Sequence, residues 1–202
     1  MSVVTADRGS AGILLLAAGR GIRFGSDKRV ATVPNSDSTL LETTLKNARA
    51  SGMPVRVCVR EEDHALVEAL SRDAVTTIVC PRAHEGMGGT LADAVKGIDD
   101  WDAAVIALAD MPLVQAATYR ALAQTCSRET IAAVAYRGRR GNPVCFGAGW
   151  FSALMQCGGD YGARDVLSAN PHAIRVIDVD YAGILADVDR PADLEAILET
   201  MR

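Results

Sequence analysis

The chain has 202 residues, of which 49% are hydrophobic and 23% charged, and its formal net charge is -4. That length holds one α/β domain with a sizeable core, and the balance excludes extensive disorder. The mild acidic excess offers no basic surface for nucleic acid or membrane, so neither is expected as a partner.

Residues 1–10 read as a disordered leader and 11–202 as one domain. No basic stretch leads into an apolar one at the start, as a signal peptide would need, and the longest apolar run, residues 13–18, is too short to span a bilayer. Residues 13–17 predict a buried strand. Thr39-x-x-Glu42 is a capping box opening a helix with Leu41, Leu45 and Ala48 on one face, which Gly52-Met-Pro54 ends. A strand at 55–59, a helix at 62–71 and a strand at 75–79 follow. After a glycine-rich loop, Thr90-x-x-Asp93 predicts the cap of a further helix, with Leu91, Val95 and Ile98 inward. Residues 103–108 form a strand ending at Asp110, and 115–126 a helix. Strands at 131–136 and 144–146 flank a basic loop, 137–143. Short helices at 150–157 and 163–168 and a strand at 174–179 lead to a closing helix, 191–201, with Pro191 in its first turn. Such alternation predicts a mostly parallel sheet with helices on both faces and a ligand at the carboxyl ends of the strands.

The cysteines, Cys58, Cys80, Cys126, Cys145 and Cys157, follow no CxxC spacing and read as thiols of a reducing, cytoplasmic compartment. His64, His84 and His172 lack metal-ligand spacing and read as core or surface side chains.

Two features carry chemistry. The first predicted strand runs into Ala18-Gly-Arg-Gly-Ile-Arg-Phe-Gly-Ser-Asp-Lys28. Gly19, Gly21 and Gly25 let the backbone bend and approach a ligand, exposed amides cradle anions, and Arg23 and Lys28 add positive charge. The spacing matches neither GxGxxG nor a P-loop, so the expectation is a phosphate cradle of another kind. Secondly, Asp110 follows a strand, and Asp187 and Asp189 follow Gly183-Ile-Leu-Ala; hard oxygen ligands of this type suit Mg2+, which also binds substrate phosphates.

The string LAAGRGIRFGSDK resembles the LAAGxSxRMGxxK motif of the molybdenum-cofactor nucleotidyltransferases. EGMGGTLADAV, ALADMPLV, RRGNPVCF, GGDYGARDVL and DVDRPADL resemble further blocks of that family, in order, along nearly the whole chain. The resemblance implies a single-domain, Rossmann-like three-layer sandwich with a mostly parallel, mixed sheet, of the nucleotide-diphospho-sugar transferase type. It implies that the terminal phosphate of a pterin cofactor attacks the α-phosphorus of a nucleoside triphosphate and that pyrophosphate leaves. Arg23, Lys28 and Asp110 would carry the reaction. Leu16, Ala17, Ala18, Gly19 and Gly21 would hold the nucleotide with Gly86, Gly88, Gly89 and Thr90, the two middle glycines leaving room for a flat ring. Asp110 would bind Mg2+ with Asp187, preferred over Asp189. Arg140, Asn142, Asp160 and Arg164 would meet the molybdopterin acceptor.

Leu16-Ala-Ala-Gly19 resembles the cytidylyl branch, which uses CTP and supplies an apo-molybdoenzyme of the xanthine dehydrogenase type; Asp110-Met-Pro leans toward the guanylyl branch, which uses GTP. A different phosphorylated acceptor (a sugar, a polyol or phospholactate) is the alternative within the class. A non-catalytic cofactor carrier is the alternative outside it.

Overall fold

A computed structural model of the chain describes residues 10–21 and 24–200. Arg23 and residues 1–9 of the expected leader lie outside the described residues.

The strand predicted at 13–17 is β1 (Ala11–Leu16), and it runs parallel between β2 (Val55–Val59) and β4 (Ala103–Leu108). Its unbroken apolar run follows from that place, because both faces of a central parallel strand are covered. Alternation sorts its side chains. Ile13 and Leu15 enter one core with α1 (Leu40–Arg49), α2 (His64–Arg72) and α4 (Ala116–Thr125). Leu14 and Leu16 enter the opposite core with α3 (Met87–Lys96), α5 (Phe151–Leu154) and α6 (Arg164–Ala169). These are the three layers expected.

With β3 (Thr76–Val79), β5 (Ile131–Tyr136), β6 (Arg139–Gly147) and β7 (Ile174–Asp178), the sheet has the order β3-β2-β1-β4-β6-β5-β7. Only β6 runs against the rest, antiparallel to both β4 and β5, while β5 and β7 are parallel. A third, small cluster joins Val33, Leu40 and Val188 to Leu194 and Ile197 of α7 (Pro191–Thr200). It fastens the closing helix beside the carboxyl end of β4. Among the described residues no helix is long and apolar enough to cross a membrane.

The α1 capping box forms as predicted: Glu42 N donates to Thr39 Oγ1 at 3.2 Å, and Thr39 N donates to the Glu42 carboxylate at 2.7 Å. The box predicted at Thr90 does not. α3 begins at Met87, and Thr90 lies inside it with its hydroxyl donating to the Gly86 carbonyl at 3.2 Å. Asp93 instead accepts from Arg82 N at 2.7 Å. Close packing overrides the poor helix propensity of Gly88 and Gly89. A Cβ at Gly88 would strike the Gly158 backbone, and one at Gly89 the Arg82 carbonyl.

The basic loop expected at 137–143 is also corrected. Only Arg137 and Gly138 turn, both at positive φ as a two-residue hairpin requires, and β6 begins at Arg139.

Candidate active site

The loop after β1 bends back on itself at Gly21, where φ is 59° and a Cβ would stand 3.0 Å from the Ser26 carbonyl oxygen. It ends in a 3-10 turn, Lys28–Val30, capped by Asp27, whose carboxylate accepts from Arg29 N at 3.1 Å. That turn sends two neighbouring cations to different networks.

Lys28 reaches across the end of β1 toward the end of β4. Its Nζ donates to Asp110 Oδ2 at 2.5 Å, to the Val188 carbonyl at 2.9 Å and to Asp189 Oδ1 at 3.3 Å. Arg29 is buried and turns inward. Its Nη1 donates to Asp63 Oδ2 at 2.6 Å and to the Ala17 carbonyl at 2.9 Å. Its Nη2 donates to Asp63 Oδ1 at 2.8 Å and to Asp27 Oδ2 at 2.6 Å. Arg60 adds a second guanidinium to Asp63 at 2.8 Å. Burial alone would raise the Asp63 carboxyl, but the hydrogen bonds from Arg29 and Arg60 hold it far below the usual carboxylate range.

Asp110 is perturbed in the opposite sense. Burial pushes its carboxyl up, Lys28 pulls it back, and the charge of Asp187 pushes it up again. Its Oδ1 is buried and has no hydrogen-bond partner among the described residues. A buried acceptor in that state costs free energy that a cation or donor would recover. Among the described residues no three His, Cys, Asp or Glu side chains are gathered into a ready metal site. Asp110, near Asp187 and sharing Lys28 with Asp189, instead fits a hard cation that keeps waters and takes its other ligands from phosphate.

These groups open onto a cleft of about 580 Å³ at the carboxyl ends of β1 and β4. One wall, on the α1 side of the sheet, carries Lys28, Leu40, Asp110 and Asp189. The other, on the α3 side, carries His84, Gly86, Met87 and Thr90. Leu16, Ala17, Ala18, Gly19 and Gly21 line the floor between them.

Residues 13–174 match the family of the MobA-like NTP transferase domain. The chain belongs to that family. As a transferase of this kind it is a nucleotidyltransferase acting on a nucleoside triphosphate, and its fold is that of solved relatives. Rv0371c from Mycobacterium tuberculosis H37Rv superimposes with a TM-score of 0.82 at 27% identity, covering 94% of this chain and 97% of that one. A manganese complex of Rv0371c superimposes with a TM-score of 0.77 at 26% identity, covering 95% and 99%. The bifunctional protein GlmU of Methylibium petroleiphilum is 28% identical over 124 residues. That match takes in 59% of this chain but spans only 27% of the length of this curated relative.

The transferase does not bring every expected site residue to the cleft. Gly88 and Gly89 are packed against the chain's own backbone, so the room expected there for a flat ring is filled. Asp187 is exposed and does not line the cleft. Asp160 lines it, whereas Arg140 and Asn142 lie along β6 away from its lining and Arg164 stands over the Tyr161 ring at 5.3 Å. Arg20, Arg29, His84 and Met87 line the cleft without having been expected there. Arg29 stands next to Lys28 in the motif, but its carboxylate partner Asp63 is remote in sequence, and only the fold joins them.

Proposed function

We propose that the transferase moves CMP from CTP to the phosphate of the molybdenum–molybdopterin cofactor, in the cytoplasm, and that its product goes to an apo-molybdoenzyme of the xanthine dehydrogenase type. The observation that carries this reading is the Lys28–Asp110 pair at 2.5 Å, with the second Asp110 oxygen lacking a partner among the described residues, beside a glycine-bent loop at one cleft.

The chemistry asks little of side chains as acids or bases. An oxygen of the acceptor phosphate, already anionic, attacks the α-phosphorus of CTP; the bond to the β-phosphate oxygen breaks and pyrophosphate leaves. The protein must hold two repelling anions in line and neutralise the charge that accumulates. Asp110, with Asp187 or Asp189, would hold Mg2+, and the manganese complex of Rv0371c supports a divalent ion at such a fold. When bound, that ion supplies charge neutralisation to the triphosphate and the leaving pyrophosphate. Lys28 and Arg20, both lining the cleft, add fixed positive charge, and Arg23 belongs to the same loop. Ala17, Ala18 and Gly19 present backbone to the nucleotide, and Ala18 in place of glycine narrows the floor in favour of a pyrimidine. On the acceptor side Asp160 lines the cleft, and from outside that lining Arg140 and Arg164 would meet the pterin phosphate and Asn142 the same acceptor.

The test is pyrophosphate release from each of the four nucleoside triphosphates, with purified molybdopterin and Mg2+. Release with CTP alone is expected. Release with GTP alone would transfer the chain to guanylyl chemistry. No release with any triphosphate would refute the reading in favour of a cofactor carrier.

A further inference from the structure

Away from the cleft the described residues hold two pairs of neighbouring thiols, and the pairs differ in access. Cys58 of β2 and Cys80, just past the end of β3, meet in the core on the α3 side. Both are sealed, at 0% and 1% exposure. Cys126 and Cys145 meet in the core on the α1 side, with their sulfurs within hydrogen-bonding reach. Cys145 is buried in β6. Cys126, directly after α4, is partly exposed, and Thr125, Ser127 and Arg128 beside it are open to solvent.

The path of the chain builds the second pair. Cys126 N donates to the Leu122 carbonyl at 3.0 Å and closes the last turn of α4. The chain then doubles back, so that Cys126 Sγ lies 3.3 Å from the Thr130 carbonyl oxygen. β5 starts at the next residue, and its Ala132 pairs with Cys145 of β6. Three donors thus surround the Cys126 sulfur: the Cys145 thiol, the Thr130 hydroxyl and the Ala132 amide. Donors aimed at a sulfur favour its thiolate. The Cys145 thiol is the largest cause holding Cys126 below the usual range, and the same bond, with burial, pushes Cys145 up, so the deeper sulfur keeps the proton. Cys157 is also partly exposed, but burial and the charge of Asp165 push its thiol up, and its Sγ donates to the Ala153 carbonyl at 3.8 Å.

We propose that Cys126 and Cys145 are a peroxide-reactive pair, which hydrogen peroxide converts to a disulfide within one chain. The Cys126 thiolate attacks one peroxide oxygen, the O–O bond breaks, hydroxide leaves, and Cys126 becomes a sulfenic acid. The Cys145 sulfur then attacks the Cys126 sulfur. The S–O bond breaks, the Cys145 proton leaves with the sulfenic hydroxyl as water, and the S–S bond forms. The two sulfurs give up two electrons in all, and those reduce the peroxide. Cys145 lies opposite Val105 of β4, short of the Leu108–Asp110 end that lines the cleft. The pair is therefore a modification site separate from the transfer reaction.

Peptide mass mapping tests the proposal, after the native chain has met hydrogen peroxide and the free thiols have been alkylated in denaturant. With one equivalent, wild type should lose two of its five thiols. A single link should join the Cys126 and Cys145 peptides, and dithiothreitol should remove it. Cys58 and Cys80 should stay free to alkylate, and Cys157 should react at least about tenfold more slowly than Cys126. Cys145→Ala should stop at a Cys126 sulfenic acid that dimedone captures, and excess peroxide should carry it on to sulfinic acid. All five thiols intact in wild type after excess peroxide would overturn the proposal. So would oxidation of Cys157 or of the Cys58–Cys80 pair ahead of Cys126, or a link between two chains instead of within one.

Discussion

Lys28 and Arg29 are adjacent, yet the networks they enter differ in one decisive respect. Around Arg29 the accounts of donors and acceptors close: both Asp63 oxygens are bonded, the guanidinium is gripped by Asp27, Asp63 and the Ala17 carbonyl, and Arg60 completes the cluster. Around Lys28 they do not: Asp110 keeps an oxygen with no donor among the described residues, and burial outweighs Lys28 and raises its carboxyl, whereas the guanidinium partners of Asp63 outweigh burial and lower that one. A closed ionic cluster holds a fold in place, whereas an open one at a cleft is left for something to complete. The 3-10 turn therefore ties structure to chemistry: Arg29 pins the loop to β1 and α2, and that anchorage aims Lys28 at Asp110.

The sharpest way to break this contrast is to remove one carboxylate from each side. Asp110→Ala should lower turnover by about 100-fold or more, as loss of an electrostatic stabiliser does. The thermal midpoint should hold or rise, because a buried oxygen without a partner disappears. A rate and a midpoint that fell together would place Asp110 with the structural cluster. Asp63→Ala should do the reverse and cost about 3 kcal/mol in urea titration, since it strands the buried Arg29 charge.

The pH dependence of that loss has a fixed sign. The Asp63 carboxyl is depressed in the fold, so its contribution is complete above the unfolded value of about 4 and fades as pH falls below it toward the folded value. Wild type and Asp63→Ala should therefore converge in acid, and urea midpoints that stay equally far apart down to about pH 2 would contradict the assignment.

Smaller effects sharpen the picture. Gly89→Ala forces a methyl group against the Arg82 carbonyl and should cost about 1–3 kcal/mol by thermal denaturation. Thr39→Ala removes half of a capping box away from the ionic clusters, at about 1 kcal/mol, with turnover per folded molecule unchanged.

What could be read from the sequence follows the range of the forces involved. β2, β4 and β5 lie where local apolar runs place them, and the α1 cap is written in four consecutive residues. The start of α3 was hidden because glycines argue against helix locally; only contact with Gly158 and Arg82 explains them. β6 was shortened in prospect by its glycine, asparagine and proline, although pairing with β4 and β5 holds it extended. At the site, Lys28 and Asp110 were legible because each ends a recognisable local pattern. The Arg29–Asp63 pair was not, since nothing in either neighbourhood points to the other.

Under the proposed reaction Asp110 binds a divalent cation. Electron paramagnetic resonance of Mn2+, titrated into wild type and Asp110→Asn in the presence of CTP, tests it most directly. Wild type should take up about one ion per chain, and the variant should bind it at least about tenfold more weakly, the worth of a lost charged ligand. Indistinguishable titrations of the two proteins would contradict the account.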